Sequence, residues 1–233
     1  MIDVVMVTNG KRPELLEQSL FSLVENASDR QNIHPILVVD GATWNQVDRT
    51  TNGYERTVTA HIDVQSNVGA SRCRNIGASS VPKYKRGEYV TFCDDDVYMC
   101  PGWDERLVEA IGTRGMRIVS GHAHPYNHTV LSEKQGVYET NVLSTVHMFM
   151  PWSIWDEVGY FVEPGGPGGS EDVDYCKRAK QLGYVLYVTN PHCVIHTGLT
   201  NSKGQEIVGY EHVVIRNNEI EKVYSLRGKV LYA

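Results

Sequence analysis

With 233 residues, 41% apolar and 21% charged, the chain has an ordinary globular composition and length enough to bury a sizeable core. Its 22 Lys and Arg against 28 Asp and Glu leave a net charge of −6, which gives no general basic field and disfavours nucleic acid as an obligate partner. No run of about 18 apolar residues occurs and the N-terminus lacks a basic start, so neither a membrane span nor a signal peptide is expected.

The first element is an apolar strand, "IDVVMV", followed by Pro13 at the first position of a helix, "ELLEQSLFSLV", whose Leu16, Leu20, Leu23 and Val24 recur at helical spacing. Two strand-like runs come next, "PILVVD" over 35–40 and the weaker "VTAHID" over 58–63. A small-residue helix is predicted over 69–80, then the strand "YVTFC", a helix opened by Pro101 and the strand "RIVSG" over 117–121. Residues 122–170 are less regular, and end in the glycine loop "VEPGGPGGS". A helix "EDVDYCKRAKQLG" stopped by Gly183 and the strand "YVLYVT" lead to "NPHCVIHTG". Strands alternating with helices imply one α/β domain with a mostly parallel sheet covered on both faces. Ligands of such sheets bind beyond the carboxyl ends of the strands, where Asp40, Asp63 and Asp94 to Asp96 all fall. The five cysteines form no C-x-x-C pair, and their odd number fits reduced thiols and a cytoplasmic location. The Asn-x-Ser/Thr triplets at Asn26 and Asn127 are then chance matches.

Four pieces carry chemistry. In "FCDDDV", alternation along an extended segment turns Asp94 and Asp96 to one side and Asp95 to the other. Two converging carboxylates suit a hard divalent cation, Mg²⁺ or Mn²⁺, although a solvated turn accounts for the triplet equally well. His196, about a hundred residues later, would favour Mn²⁺ as a ligand, and His192 competes with it for that role. In "GGSEDVD", Glu171 and Asp172 stand at a helix N-terminus as plain acidic caps, or as a general base and acceptors for sugar hydroxyls. In "NVGASRCRNIGAS", small residues permit close backbone approach and Arg72 or Arg74 could meet a base or a phosphate. A Walker A loop, a dinucleotide fingerprint after the first strand and serine-hydrolase signatures are all missing.

Taken in order, "VVMVTNGKRPELLEQSLFSL", "ILVVDGAT", "NVGASRCRNIGA", "FCDDDV", "GGSEDVDYCKRAKQLGY" and "VIHTG" resemble the GT-A glycosyltransferases, most closely the family 2-like group. The resemblance implies a single domain over 1–233, with a nucleotide-sugar half at about 1–121 and an acceptor half at about 122–233. It implies that Thr8, Asp40, Asn67, Arg72, Arg74, Asp94 and Asp95 face the nucleotide sugar. Asp96, Asp94 and His196 would hold the Mn²⁺ or Mg²⁺ that carries the diphosphate, and Asp172, with Glu171 beside it, would be the base of an inverting reaction. A UDP- or GDP-sugar is the implied donor. The acceptor is a glycan or small molecule, with a modified DNA base or a protein side chain as alternatives. "SEDVD" also resembles the acidic motif of retaining families, so stereochemistry stays open, and the first loop reads "TNGKR" where the family commonly has a Tyr-Asn-Arg-like run. A sugar nucleotidyltransferase or a non-catalytic nucleotide-sugar binder are the competing readings. Trp152, Trp155, Tyr126, Tyr138 and Tyr160 are read as core aromatics before a stacking platform, and 197–210 as a lid.

Overall fold

The computed structural model describes residues 1–42, 58–64, 66–113, 115–122, 130–134, 136–163 and 170–197, together with three strands between 212 and 232. Continuous β-branched runs cannot leave one face in water, and the strands built from them are central. Strand β1 (Ile2–Thr8) is buried along its whole length, and β2 (Ile33–Asp40) almost so. Both pair in parallel, β2 also with the edge strand β3 (Ala60–Val64), and β1 on its other side with β4 (Tyr89–Asp94). Further strands follow in chain order: β5 (Val97–Met99), β6 (Arg117–Ser120), β7 (Val130–Lys134), β8 (Val137–Thr140), β9 (His147–Pro151), β10 (Val185–Thr189) and β11 (Val194–His196). The main sheet runs β3-β2-β1-β4-β9-β6-β10-β8-β7, parallel except where β9 and β8 reverse. β5 and β11 form an antiparallel ribbon beside it, and β12 (His212–Arg216), β13 (Glu219–Tyr224) and β14 (Val230–Tyr232) a separate three-stranded sheet.

Alternation along β1 feeds two cores. Val4 and Met6 pack with Leu16, Leu20 and Leu23 of helix α1 (Pro13–Glu25) and Trp103 and Leu107 of helix α3 (Trp103–Ile111). Val5 and Val7 face Cys73 and Ala78 of α2 (Ala70–Ser80), Trp155 of α4 (Trp152–Val158) and Tyr175 of α5 (Glu171–Gln181). Trp152 and Trp155 are therefore core aromatics, whereas Tyr160 is 60% exposed; Tyr126 lies outside the described residues. Helix α2 approaches the sheet closely at Gly77, where a Cβ would stand 2.4 Å from Val5 Cγ1 and 2.9 Å from Val38 Cγ2. Gly77→Ala is expected to overpack this seam and lower stability by about 1–3 kcal/mol in urea unfolding.

Strand β9 is the main departure from the sequence expectation. It lies antiparallel between β4 and β6, and its apolar run continues directly into α4, so no periodicity marks the change. His147 at its start is fully buried: Nδ1 accepts the Gly121 N–H at 3.1 Å and Nε2 lies 3.2 Å from Thr91 Oγ1. Burial lowers its pKa from 6.5 to about 3. The unfolded chain therefore takes up a proton below 6.5 that the folded chain refuses, and stability falls with pH between those values. This histidine alone should remove about 2 kcal/mol between pH 7 and 5. His147→Asn, which keeps an acceptor for the Gly121 N–H, should flatten that part of the urea-midpoint profile.

Candidate active site

The carboxyl ends of β1, β2 and β4 meet on one rim, and each ends in a polar residue: Thr8, Asp40 and Asp94. The chain turns immediately after Asp94, so strand alternation stops there and Asp95 and Asp96 occupy a tight turn into β5. Helix α1 fixes this turn through a buried serine. Ser19 Oγ lies 2.9 Å from the Asp95 carbonyl and 2.7 Å from that of Val97, and accepts the Val97 N–H at 3.0 Å.

The three aspartates separate into two environments. Asp94 turns to Arg74, whose Nη2 is 2.5 Å away. Asp95 accepts the Thr8 hydroxyl at 2.6 Å and Arg12 Nη2 at 2.5 Å, while Arg12 Nη1 donates to Asp96 Oδ2. The pairing expected from alternation, Asp94 with Asp96, gives way to Asp95 with Asp96 under one guanidinium. Burial raises the pKa of Asp94 against the pull of Arg74, and that of Asp95 to about 6. Burial acts in the same direction on Asp96, but the hydrogen bond and charge of His196, with Arg12, outweigh it and hold this carboxyl below its usual range.

His196 arrives through the β5–β11 ribbon, where it is paired with Val97, and its Nε2 stands 3.1 Å from Asp96 Oδ2. The Asp96 carbonyl is fixed by Thr197, through its N–H at 2.7 Å and its hydroxyl at 2.9 Å. Asp96 Oδ1 is buried and has no hydrogen-bond partner among the described residues. A buried carboxylate oxygen left unpartnered beside an imidazole fits a divalent cation, which would satisfy it. Among the described residues no three His, Cys, Asp or Glu side chains are arranged to hold a metal by themselves. Asp96 and His196 would therefore supply part of a coordination sphere completed by phosphate and water, as hard cations commonly are.

Asp40 accepts the N–H groups of Val68 and Gly69 at 2.8 and 3.0 Å, which ties β2 to the start of α2. Asn67 is exposed next to it. Arg72 is exposed on α2, 4.0 Å from Glu163, at a groove of about 820 Å³ that also meets Ile62, Ile76 and Tyr160. Arg74 is buried, and besides Asp94 it reaches Glu171 at 3.6 Å. Glu171 and Asp172 open α5. Asn75 of α2 holds the segment that follows α4: its Nδ2 donates to the Phe161 carbonyl at 2.9 Å and its Oδ1 accepts the Phe161 N–H at 3.0 Å. Glu171 also accepts the Thr145 hydroxyl at 3.3 Å. Burial raises the Asp172 pKa, opposed by the Val173 N–H that it accepts and assisted by Glu171. The glycine loop at 164–169 and all but the first residue of the 197–210 segment lie outside the described residues.

Arg12, Ser19, Asn75 and Thr145 were not among the residues expected from sequence. Arg12 is one of two basic residues of the unusual "TNGKR" loop and Asn75 lies within "NVGASRCRNIGA", whereas Ser19 and Thr145 left no such signal. His192, the competitor of His196, lies instead against Tyr138, with ring centroids 6.4 Å apart.

The family model described as glycosyl transferase family 2 matches residues 3–156. The chain is 27% identical over 194 residues to "Glycosyltransferase AglE" of Haloferax volcanii, covering 76% of this chain and 60% of that protein. It is 28% identical over 176 residues to "Uncharacterized glycosyltransferase YwdF" of Bacillus subtilis, covering 69% and 61%. The chain thus spans about three fifths of these relatives. Its fold is similar to that of GalNAc-T7, solved with UDP, GalNAc and Mn²⁺, at a TM-score of 0.68, 15% identity and coverage of 84% of this chain and 43% of that one. It is likewise similar to the mannosyltransferase PcManGT of Pyrobaculum calidifontis, in complex with GDP-Man and Mn²⁺, at 0.58, 13%, 80% and 56%. The mostly parallel α/β sheet expected of a GT-A fold is the one observed. No described helix is long and apolar enough to cross a membrane.

Proposed function

The chain belongs to glycosyl transferase family 2, and from that premise we propose that it moves a sugar from a nucleotide-diphosphate sugar to an acceptor hydroxyl. The observation that carries this reading is the buried Asp96–His196 pair, 3.1 Å apart with Asp96 Oδ1 left unpartnered, at the carboxyl rim of the parallel strands. Asp96 and His196 would hold Mn²⁺ or Mg²⁺, which when bound would offset negative charge on the departing nucleoside diphosphate. Thr8, Asp40, Asn67, Arg72 and Arg74 would face the nucleotide. Asp94, partly exposed and paired with Arg74, and the buried Asp95, paired with Thr8 and Arg12, would complete this surface.

Asp172 takes the acceptor's proton as the acceptor oxygen attacks C1 and the bond to the diphosphate breaks with inversion; its raised pKa makes it a stronger base than an ordinary carboxylate. Glu171 and Arg74 hold Asp172 at a fixed distance from the donor rim, because Arg74 bridges Asp94 and Glu171. Donor binding is assigned to about 1–121 and acceptor binding to about 122–233, within one domain. A glycan or small-molecule hydroxyl is the acceptor class. The ligands of the two structural neighbours support a UDP- or GDP-sugar as donor and Mn²⁺ as cation.

Calorimetric titration with UDP, GDP, CMP and their common sugar conjugates, with and without Mn²⁺, tests the reading. One diphosphate is expected to bind tightly only when the metal is present. Absence of metal-dependent binding to all of them would overturn it.

A further inference from the structure

We infer that Arg12 is a resident counter-cation of the metal site, which holds Asp95 and Asp96 in place without metal and must give up Asp96 when the cation enters. The inference rests on the reading of Asp96 and His196 as cation ligands and adds to it how access to that site is controlled.

Three observations carry it. The Arg12 guanidinium spans both carboxylates, with Nη1 on Asp96 Oδ2 and Nη2 on Asp95 Oδ1 at 2.5 Å. It therefore covers the same oxygen that His196 approaches, next to the oxygen left without a partner. The exposures are also unequal: the two carboxylate side chains are 2% and 3% exposed, the Arg12 side chain 33%. The anions are fixed in the fold, whereas the cation on them stands at the surface and can leave.

Arg12 is positioned for this by its loop. Gly10 adopts a left-handed φ of 70° and donates its N–H to Thr8 Oγ1 at 3.1 Å, and the Lys11 N–H is bound by Asn9 Oδ1 at 3.0 Å. Arg12 itself sits at the N-cap of α1, before Pro13, with no capping bond from its side chain. A buried carboxylate pair with no counter-charge would be costly, so Arg12 keeps Asp95 and Asp96 in place. A divalent cation on Asp96 then faces a fixed positive charge unless the guanidinium moves away, and metal binding to the nucleotide-free protein is weak for that reason.

The test is Mn²⁺ binding without nucleotide, followed by the loss of the free-ion paramagnetic signal, in the wild-type protein, Arg12→Gln and Arg12→Lys. Arg12→Gln is expected to bind Mn²⁺ at least about tenfold more tightly than wild type, a coupling of ordinary size between competing cations. Arg12→Lys, which retains the charge, should remain close to wild type; a purely structural role for Arg12 would make the two variants alike. Affinity that is unchanged or weaker in Arg12→Gln overturns the inference while leaving the metal site standing. Absence of Mn²⁺ binding in all three proteins, with nucleotide as well as without, would overturn the metal site and this inference together.

Discussion

Asp96→Asn is expected to reduce donor binding in the presence of Mn²⁺ to its metal-free level. Groups that only support a ligand already cost about 10–100-fold in metal affinity when removed, so loss of the ligand itself should cost at least about a hundredfold. The fold should survive. Asn keeps an oxygen for Arg12, and His196, whose pKa is raised against burial chiefly by its bond to Asp96, can shed its proton when that partner is neutral. The stability cost is then that of one altered buried hydrogen bond, about 1–3 kcal/mol, to be read from a thermal melt. Calorimetry against the donor with and without Mn²⁺ decides the result. Metal-dependent donor binding of wild-type strength in a folded Asp96→Asn protein would remove Asp96 from the metal site.

Asp172→Asn separates binding from chemistry. Donor affinity should stay within about twofold of wild type, because the Asp172 carboxylate accepts the Val173 N–H of its own helix, while it is Glu171 beside it that Arg74 reaches from the rim. Transfer should fall by about 10²–10⁴-fold, the usual contribution of a positioned general base. Burial raises the Asp172 pKa, so the base is lost as pH falls through a value above that of an ordinary aspartate, and the acid limb of turnover should be shifted upwards accordingly. Glu171→Gln removes a like charge and frees Arg74 to act on Asp172 unopposed, so the limb should move to lower pH. Substantial surviving transfer in Asp172→Asn would point to another base or to a retaining displacement.

The parts of the fold legible in the sequence are those whose signal is local. The runs "IDVVMV", "PILVVD" and "YVTFC" became β1, β2 and β4, and α1, α2 and α5 lie within one or two residues of their expected bounds. Pro13 stands at N1 of α1, and Gly183 follows α5 with a φ of 89°. Strands β8 and β9 were not legible, because what reverses them in the sheet is pairing with β10 and with β4, strands distant in sequence, and not their own composition. In the site, the gathering of carboxylates on one rim followed from strand direction, but the side each takes did not. Alternation holds only as far as the strand does, and it stops at Asp94. The pairing of Asp95 and Asp96 under Arg12 depends on a turn that Ser19 fixes from a neighbouring helix, and a lone serine on an apolar helix face gives no sign of such a contact.

The β5–β11 ribbon has a consequence for the life of the chain on the ribosome. Asp96 and Arg12 belong to the first hundred residues, and β5 is held against α1 by Ser19, Ser22 and Asn26. His196 joins them only when β11 pairs with β5. A nascent chain that has emerged as far as β10 therefore owns the aspartates and the guanidinium that covers them, but not the imidazole. Synthesis itself orders the steps, with half of the Asp96–His196 pair waiting for the segment that follows β10.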